Sequence, residues 1–324
     1  MQKQSLLYRI VRKRFFMMIA MFVVLLVFFT VLSDNNLMIH PLNLVNILSS
    51  MAISSFLTTG VAMLMISGRL DLSTGANGTL CGMFIAYLMR SGMPLVPALL
   101  LSLALGAILG LMNAAIVINL GVAPFIATLG TSSVMTGFVY LIANKKTIEI
   151  TDTVLKNYGK YMIFEYIPVS ALFAFAFMAI IGVVLHKTTF GRRVYLIGGN
   201  AQASMLSGIN PNRMSYILFA ICGFFSAGAG ITLVARTQSA SIQGLTSQRF
   251  QGITAAVLGG ISFGGGSGGM AGTFVGLLVL NTFSNGMSVI GIGPYWQYAA
   301  TGLLLLFALT LDFIQRKQAE KVIA

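Results

Sequence analysis

The sequence predicts an all-α protein, a polytopic bundle of transmembrane helices in a single domain over residues 1–324. Three observations predict this fold. Of the 324 residues, 57% are hydrophobic and 8% are charged, with a mean hydropathy of +0.89, which leaves too few polar side chains to cover a soluble surface. Apolar runs recur at the length of about 20 residues that a helix needs to cross a hydrocarbon core of about 30 Å. The runs lack the alternation of a membrane β-strand.

Ten spans are predicted by dividing the chain wherever a charge, a proline or a group of glycines interrupts an apolar run. The first run is longer than a signal-peptide core, and Ser33-Asp34-Asn35-Asn36 follows it instead of a small-residue cleavage site, so we expect it to remain as a span. The eighth span is the shortest. The ten cover residues 15–32, 44–66, 71–89, 94–118, 122–143, 167–185, 214–235, 251–263, 270–289 and 295–312.

The distribution of lysine and arginine predicts the orientation of the bundle. Thirteen of the 20 basic residues fall on the side of the N-terminus, and seven fall in the loops of the other side. Short loops rich in Lys and Arg stay in the cytoplasm, so we expect both ends of the chain, 1–14 and 313–324, to be cytoplasmic. The two long extramembrane segments are then an outer loop, 144–166, and an inner loop, 186–213.

Several functional classes are excluded by what the sequence lacks. The net charge of +13 comes from cations scattered between apolar runs, which indicates topology rather than nucleic-acid binding. The glycines of 264–269 have no Lys after them, so the chain has no phosphate loop. His40 and His186 lie at opposite membrane edges and predict no metal site. Cys81 and Cys222 lie in apolar stretches and are predicted to be buried thiols. No catalytic constellation is found.

A first polar break separates the second and third predicted spans. It reads Gly68-Arg-Leu-Asp-Leu-Ser73, and Asn77 follows in an unusually polar entry to a helix. Charges at membrane depth are costly, so we expect Arg69 and Asp71 to pair, to cap a helix or to face a cavity. A tight cytoplasmic turn with a solvated ion pair is the alternative. The candidate pathway or gating residues here are Gly68, Arg69, Asp71, Ser73 and Asn77.

A second break, residues 257–269, is built from glycine instead of charge. Transporters interrupt helices with glycine where a discontinuous helix meets a pathway, which makes these glycines candidates for the same role. Close helix packing without solute contact is the alternative. The two breaks lie about 190 residues apart and indicate a duplicated half. The candidates are Gly259, Gly260, Gly265 and Gly266.

Polar side chains within the spans are hydroxyls and amides rather than acids. This composition favours a neutral polyhydroxyl solute over an ion or a proton-coupled mechanism, which usually needs a buried carboxylate. Hydrogen bonding between helices is the alternative for each of them. They are Asn46, Ser49, Ser50, Ser54, Ser55, Thr58, Thr59, Asn113, Thr128, Thr131, Ser132, Ser133, Asn281, Ser284 and Asn285, of which Thr128 joins the candidate pathway residues.

The inner loop contains a predicted short helix at 200–207. Asn200 is suited to the N-cap, good helix formers follow, and Gly208 is suited to end the helix.

An ordered set of motifs resembles the membrane permeases of ribose-type ABC importers. The resemblance extends over nearly the whole chain from residue 44, and the order makes the set specific although each motif alone is weak. In chain order the motifs are Ser67-Gly-Arg-Leu-Asp-Leu-Ser73, Pro124-Phe-Ile-Ala-Thr-Leu129, Thr189-Phe-Gly-Arg192, Gly198-Gly-Asn-Ala201, Leu206-Ser-Gly-Ile209, Ala255-Ala-Val-Leu-Gly-Gly260 and Gly265-Gly266.

The resemblance implies a non-catalytic subunit of a bacterial inner-membrane importer that moves a pentose, a hexose or a related solute such as a furanosyl autoinducer. The implied partners are a second permease, identical or related, two cytoplasmic ATPase subunits that bind the ATP, and an extracytoplasmic sugar-binding protein. This chain itself is expected to hold no cofactor. One departure from the family is Arg69, where a second glycine is usual.

The segment from Asn200 to Ile209 resembles the coupling helix that fits a groove on the ATPase. The residues carried over to this role are Arg192, Arg193, Asn200, Ala201, Ala203, Ser204, Ser207, Gly208, Ile209 and Arg213. The implied mechanism is alternating access, in which movement of the ATPases reaches the spans around the two breaks.

On the outer face, Arg236 and Arg249, with the 144–166 loop, are candidates for docking acidic residues of the binding protein. Ordinary solvated loop charges are the alternative. A secondary, ion-coupled transporter is the competing functional class, and a channel or a membrane enzyme finds less support. The sequence does not identify the solute.

Overall fold

A computed structural model describes residues 2–248 and 250–323, without the side chains of 2–14, 247, 311 and 315–323. The described chain is almost entirely helical. The helices are α1 (Gln2–Leu32), α2 (Pro41–Ile66), α3 (Thr74–Arg90), α4 (Leu95–Asn119), α5 (Pro124–Ala143), α6 (Thr153–Lys160), α7 (Val169–Lys187), α8 (Thr189–Gly199), α9 (Ala201–Leu206), α10 (Pro211–Thr237), α11 (Gln251–Leu258), α12 (Met270–Val289) and α13 (Pro294–Ile323).

The short strands lie outside the long helices and form two antiparallel pairs. In the first, β1 (Ile148–Glu149) pairs with β4 (Ser239–Ala240), and in the second, β2 (Met162–Ile163) pairs with β3 (Ile167–Pro168). Both pairs lie with α6 at one end of the bundle, which we call the α6 end. The opposite end carries α8 and α9 and is called the α9 end.

The predicted all-α polytopic bundle is confirmed. Among the described residues, seven helices are long and apolar enough to cross a membrane: α1, α2, α4, α5, α7, α10 and α13. The helix α3 has 17 residues, and α12 has 20 but is more polar because of Asn281 and Asn285.

The eighth predicted span, 251–263, is corrected by the structure. Only α11 is helical there, and its 8 residues rise about 12 Å, less than half of a hydrocarbon core. The glycines that follow end the helix, so residues 259–269 return as a loop. This element is therefore a half-helix and not a span.

The centre of the bundle is formed by α2 and α10. In the apolar stretch of each helix, 89% of the residues of α2 and 67% of those of α10 are buried. The same share is 11% for α1 and 12% for α13, which lie at the periphery. Glycines allow α10 to approach its neighbours closely: a Cβ added to Gly106 of α4 would lie 2.5 Å from the carbonyl oxygen of Gly223. Small residues at helix crossings are the usual basis of packing in lipid, where apolar burial offers little driving force.

The two halves of the chain form an inverted repeat with an offset of 170 residues. Pro41 and Pro211 begin α2 and α10, and Pro124 and Pro294 begin α5 and α13. The helices α4 and α12 end at residues 119 and 289, again 170 apart. Cross-contacts run antiparallel along α2 and α10, because residue 50 meets 236 and residue 60 meets 222. The second half is thus inverted relative to the first.

The predicted duplication is correct, but the pairing of the two breaks was wrong. In the repeat, the counterpart of the break 67–73 is the segment 238–250 between α10 and α11. The glycine-rich break lies one connection later, between α11 and α12. Each half therefore has a helix that begins inside the bundle, the 17-residue α3 in the first and the half-helix α11 in the second. The segment before α11 meets α3 itself, since the Leu245 N–H donates to Thr79 Oγ1 at 2.8 Å.

Candidate functional site

The first break begins where Gly68 ends α2. Gly68 has a φ of +76°, and its N–H donates to the Met65 carbonyl at 2.9 Å while the Arg69 N–H donates to the Leu64 carbonyl at 3.0 Å. This is a Schellman ending, which requires the left-handed conformation that glycine adopts without strain. The chain then runs unwound to α3, which begins beside the middle of α10: a Cβ added to Gly78 would lie 2.6 Å from the Ser226 carbonyl oxygen.

Asp71 is the buried centre of this break, with 1% of its surface exposed. Its Oδ1 accepts from the Ser73 N–H at 2.7 Å and from Ser73 Oγ at 2.6 Å, and Asn113 Nδ2 lies 3.3 Å from its Oδ2. The bond to Ser73 N–H closes a turn immediately before α3. Asp71 thus closes the turn that leads into α3, whose N-cap is Ser73, and among the described residues it bonds to no N–H of the helix itself.

Arg69 does not form the predicted pair with Asp71: among the described side chains, no cation lies within ion-pair distance of that carboxylate. The Arg69 side chain is instead half-buried and lines a cavity of about 280 Å³ together with Pro124, Phe125 and Phe263. The prediction of a cavity-facing residue is therefore correct for Arg69. The ion pair of the alternative reading is absent because Asp71 points into the bundle while Arg69 points toward the α9 end.

Two further helices hold the break. Asn113 of α4 donates from Nδ2 to Ser73 Oγ at 2.8 Å, and the Leu72 N–H donates to Thr128 Oγ1 of α5 at 3.1 Å. Asn77, in the first turn of α3, donates to the Gly106 carbonyl at 3.2 Å. The predicted residues Asp71, Ser73 and Thr128 are thus brought together, with Asn77 next to them, and all four are at most 1% exposed. In this conformation they brace the break.

The network leaves one acceptor open. Asn113 Oδ1 is buried and has no hydrogen-bond partner among the described side chains and backbone. An unpaired buried carbonyl costs about 1–3 kcal/mol, so this position is the weakest point of the network. The sequence drew attention to Asn113 only as one of many polar residues in spans.

Only some of the other polar residues of the spans follow the inter-helix alternative. Hydroxyls of a second group bond to carbonyls of their own helix, namely Ser49, Thr59, Thr131 and Ser133. Asn281 of α12 donates to Ser54 Oγ of α2 at 3.1 Å, and Asn43 and Asn285 exchange two bonds at 2.8 and 3.0 Å. These bonds join α2 to α12 across the two halves. They account for these four residues by packing, whereas the hydroxyls of Ser55, Thr58 and Thr282 on the same two helices are buried without a partner among the described residues.

The second break packs against the first at the α9 end through backbone atoms. The Gly266 N–H donates to the Ile66 carbonyl at 2.8 Å, and a Cβ added to Gly265 would lie 2.7 Å from the Gly68 nitrogen. A Cβ added to Gly198, near the end of α8, would overlap the Ile66 carbonyl oxygen. We call Gly68, Gly198, Gly265 and Gly266 the glycine junction. Three of its members were predicted site residues, and Gly198 was not.

The other two candidate glycines of the second break, Gly259 and Gly260, lie where α11 meets α12. A Cβ added to Gly259 would lie 2.5 Å from Thr273 Cα, and Gly260 ends α11 with an N–H bond of 3.0 Å to the Val257 carbonyl. The predicted role of glycine in close packing is confirmed for Gly259. Neither residue takes part in the glycine junction.

A tyrosine closes the junction from α8. Tyr195 donates its hydroxyl to the Gly268 carbonyl at 2.8 Å, and burial raises the pKa of this phenol above its ordinary value. The bond joins α8 to the glycine-rich loop. Because Gly198 and Tyr195 are both in α8, this helix is held to both breaks immediately before the short helix α9 begins.

The short helix predicted at 200–207 is confirmed as α9. Asn200 Oδ1 accepts from the Ala203 N–H at 2.9 Å as the N-cap. Gly208, at a φ of +77°, ends the helix with its N–H donating to the Met205 carbonyl at 3.0 Å. Both capping residues are those that the sequence indicated.

The most exposed residues of α9 are not among the predicted coupling residues. Leu206 is 92% exposed and Met205 is 59% exposed, although neither was a predicted site residue. Ser204, which was predicted, is buried and donates to the Asn200 carbonyl at 2.8 Å. Two neighbouring apolar residues on a six-residue helix outside the membrane were the signal that could have identified them.

The other predicted coupling residues surround this apolar tip. Ile209 is half-buried, and its N–H donates to the Ser204 carbonyl at 3.0 Å. The rest are exposed, namely Arg192, Arg193, Ala201, Ala203, Ser207, Gly208 and Arg213. The α9 end therefore presents an apolar knob with cations beside it.

The predicted docking residues at the α6 end have different outcomes. Arg236 is half-buried and donates from Nη1 to Ser50 Oγ at 2.9 Å, which joins α10 to α2. Arg249 lies outside the described residues. The 144–166 segment contains the helix α6: Asp152 caps this helix at 2.8 Å, and Tyr158 in α6 lies 3.1 Å from Thr232 of α10. Burial raises the pKa of Tyr158.

The two cysteines are buried free thiols, as predicted. Among the described side chains, no group of three or more His, Cys, Asp or Glu is placed to hold a metal ion.

Comparison with known proteins assigns the chain to a group of relatives. A family model described as the permease component of the branched-chain amino acid transport system matches residues 43–309. The ribose import permease protein of Bacillus subtilis (strain 168) is 36% identical over 278 residues, which cover 85% of each chain. The galactose/methyl galactoside import permease protein of Escherichia coli (strain K12) is 32% identical over 295 residues, or 85% of this chain and 87% of the relative. No solved structure matches the chain.

Proposed function

The chain belongs to the family of permease components of branched-chain amino acid transport systems, and from this premise we propose a function for its two breaks and its α9 helix. It is an inner-membrane permease subunit of an ABC importer for a sugar. We propose that it carries a monosaccharide or a related small polar solute, that the α9 end faces the cytoplasm, and that ATP is hydrolysed on separate subunits that grip α9.

One observation carries this proposal: an apolar knob at the α9 end is connected through α8 to both breaks. Met205 and Leu206 project from α9, and Gly198 in α8 packs backbone to backbone against Ile66. Packed backbone transmits displacement because no flexible side chain lies between the two segments. A partner that moves α9 therefore moves the ends of α2 and of the glycine-rich loop.

The proposed partners follow from this arrangement and from the relatives. Two ATPase subunits take the two α9 helices of a permease pair, either two copies of this chain or one copy with a related permease. An extracytoplasmic binding protein delivers the solute to the α6 end. There Arg236 is engaged with Ser50, so Arg249 and the exposed parts of the 144–166 segment are the better candidates for docking.

The nature of the solute is inferred from the relatives and from the residue types in the spans. The ribose and galactoside permeases cover most of this chain. Hydroxyls and amides dominate the polar residues in the spans, which suits a neutral polyhydroxyl solute. Selectivity between sugars is assigned to the separate binding protein.

A secondary, ion-coupled transporter is the second candidate, and the observation that favours it is Asp71. A carboxylate that is 1% exposed at membrane depth is the kind of group that ion or proton coupling uses. Its three donors from Ser73 and Asn113 account for it as a structural brace. Asp71→Asn separates the two roles, because ion coupling requires the charge whereas bracing requires mainly the acceptor. Uptake that persists in this variant and still depends on ATP supports the importer.

The coupling role of α9 is tested with Leu206→Asp. We expect this variant to lose most of the co-purifying ATPase, because a charge replaces the most exposed apolar residue of the knob, and central apolar anchors typically contribute 2 kcal/mol or more to an interface. The measurement is the ratio of ATPase to permease after affinity purification.

Phe164→Asp is the matched control, since Phe164 is 84% exposed in the β2–β3 turn at the α6 end. It should leave the ratio of ATPase to permease unchanged. An unchanged ratio in Leu206→Asp as well would remove α9 as the ATPase contact.

A further inference from the structure

We propose that a groove between α1, α7 and α12 binds an anionic phospholipid, with an acyl chain in the groove and the phosphate at a basic mouth on the α9 end. The groove has a volume of about 820 Å³. This is within the range of about 300–1,000 Å³ of small-molecule sites. It is separate from the two breaks and from the α9 knob.

The wall of the groove is apolar along its length. Phe15 of α1, Met178 and Val183 of α7, and Met270 and Phe274 of α12 contribute to it. The surrounding helices turn their outer faces to lipid, since only 11% of the residues in the apolar stretch of α1 and 28% of those in α7 are buried. A groove that opens sideways into the hydrocarbon region is accessible to an acyl chain and not to a water-soluble solute.

The charge lies at one end of the groove only. His186 and Lys187, the last two residues of α7, are exposed and line its mouth. Met270 and Ala271, the first two residues of α12, line it as well, so the N-terminus of a 20-residue helix, with its free N–H groups and positive dipole, lies at the groove. In the sequence, Arg12-Lys13-Arg14 comes directly before Phe15.

These features together fit a lipid with a negative headgroup. Basic pockets between transmembrane helices, with basic segments beside the membrane, attract anionic lipids. An apolar wall of this length alone would accept any acyl chain, so the cationic end is what selects the headgroup. The chemistry that fits both parts is a phosphodiester without a compensating cation on an acyl tail, as in phosphatidylglycerol.

The position of the groove connects it to the moving parts. The helix α7 continues through α8 into α9, and α12 follows the glycine-rich loop. At the mouth, a Cβ added to Gly269 would lie 3.0 Å from His186 Nε2, and the His186 and Tyr195 rings are 6.3 Å apart. A bound lipid would therefore contact the helix that leads into α8 and the helix that follows the glycine-rich loop, and would stabilise their packing beside the glycine junction.

The test is native mass spectrometry of the purified full-length permease titrated with phosphatidylglycerol and, separately, phosphatidylethanolamine. We expect a phosphatidylglycerol adduct at lower lipid concentration than the phosphatidylethanolamine adduct. Lys187→Ala should weaken the phosphatidylglycerol adduct about fivefold, the value of one lysine near an anionic surface. Val183→Trp, at a position 60% exposed, should weaken the adducts of both lipids because the ring occupies the groove without disturbing the interior.

Two control variants make the result specific. Lys160→Ala removes a lysine at the α6 end, and Val31→Trp adds an indole at a valine that is 78% exposed elsewhere on α1. Both should bind lipid as the unchanged protein does. The proposal would be overturned if the two lipids formed adducts at the same lipid concentration and Lys187→Ala left both adducts unchanged. The proposal would also be overturned if the protein formed a dimer without bound lipid and Val183→Trp dissociated that dimer. A second copy of the chain would then cover the groove.

Discussion

The break between α2 and α3 and the break between α11 and α12 interrupt helices of one bundle, yet different contacts hold them. Around Asp71, Ser73 donates two bonds of 2.6 and 2.7 Å within the break, and side chains from α4 and α5 add bonds of 2.8–3.3 Å, all at positions shielded from solvent. At the glycine junction, backbone meets backbone. Several side-chain bonds fix one geometry, whereas close backbone contact, with the bond from the Gly266 N–H to the Ile66 carbonyl, passes a displacement of one segment on to the next. We therefore infer that the contacts of Asp71 hold the first break in place and that the glycine junction transmits movement.

The largest expected effect is on the junction. Gly198→Ala places a methyl group on the Ile66 carbonyl oxygen, so α8 has to move away from α2. Overpacking of this kind costs about 1–3 kcal/mol or more, and we expect uptake by the reconstituted importer to fall at least tenfold while ATP hydrolysis continues.

The neighbouring residue gives the matched control for this prediction. A Cβ added to Gly199 meets nothing within 4 Å, so Gly199→Ala should transport normally. The measurement is solute transported per ATP hydrolysed. Equal ratios in Gly198→Ala and Gly199→Ala would remove the junction as the transmitting contact.

The second effect concerns the brace. Asp71→Ala leaves the N–H and the hydroxyl of Ser73 without their acceptor, and each unsatisfied buried group costs about 1–3 kcal/mol. We expect a lower thermal unfolding temperature in detergent. Asp71→Asn keeps an oxygen for Ser73 and should lose less than half as much. If both variants unfold at the temperature of the unchanged protein, the network does not brace the break.

A smaller effect is expected at the edge of the same network. Thr128→Val removes the acceptor of the Leu72 N–H while keeping the size of the side chain, for a loss of about 1 kcal/mol. Ser133→Ala on the same helix is the control, because Ser133 is exposed and bonds only within α5 at 3.3 Å. The measurement is the thermal unfolding temperature of the two variants. Equal temperatures would show that Thr128 of α5 does not stabilise the break.

Local signals in the sequence predicted the local structure well. Asn200 and Gly208 mark the ends of α9, because capping depends on the residue itself and on its nearest neighbours. The apolar runs gave nine of the ten predicted spans as long helices of the described chain. The failure was 251–263, where an apolar composition continued after the helix had ended at the glycines.

The contacts across the fold were beyond the sequence. Arg69 and Asp71 are two residues apart and of opposite charge, but the end of α2 turns them to different environments. The exposure of Leu206 depends on a tight turn that projects α9 away from the bundle. Gly198 is distinguished from Gly199 only by what lies opposite it, the Ile66 carbonyl. Each of these facts depends on residues distant in the chain.

The central claim is that the chain is moved by partners that grip α9, and reconstitution tests it most directly. Proteoliposomes containing the chain alone should accumulate no solute against a gradient under ion gradients of either sign. Vesicles that also contain the ATPase subunits, the binding protein and ATP should accumulate it. Concentrative uptake by the chain alone would contradict the claim.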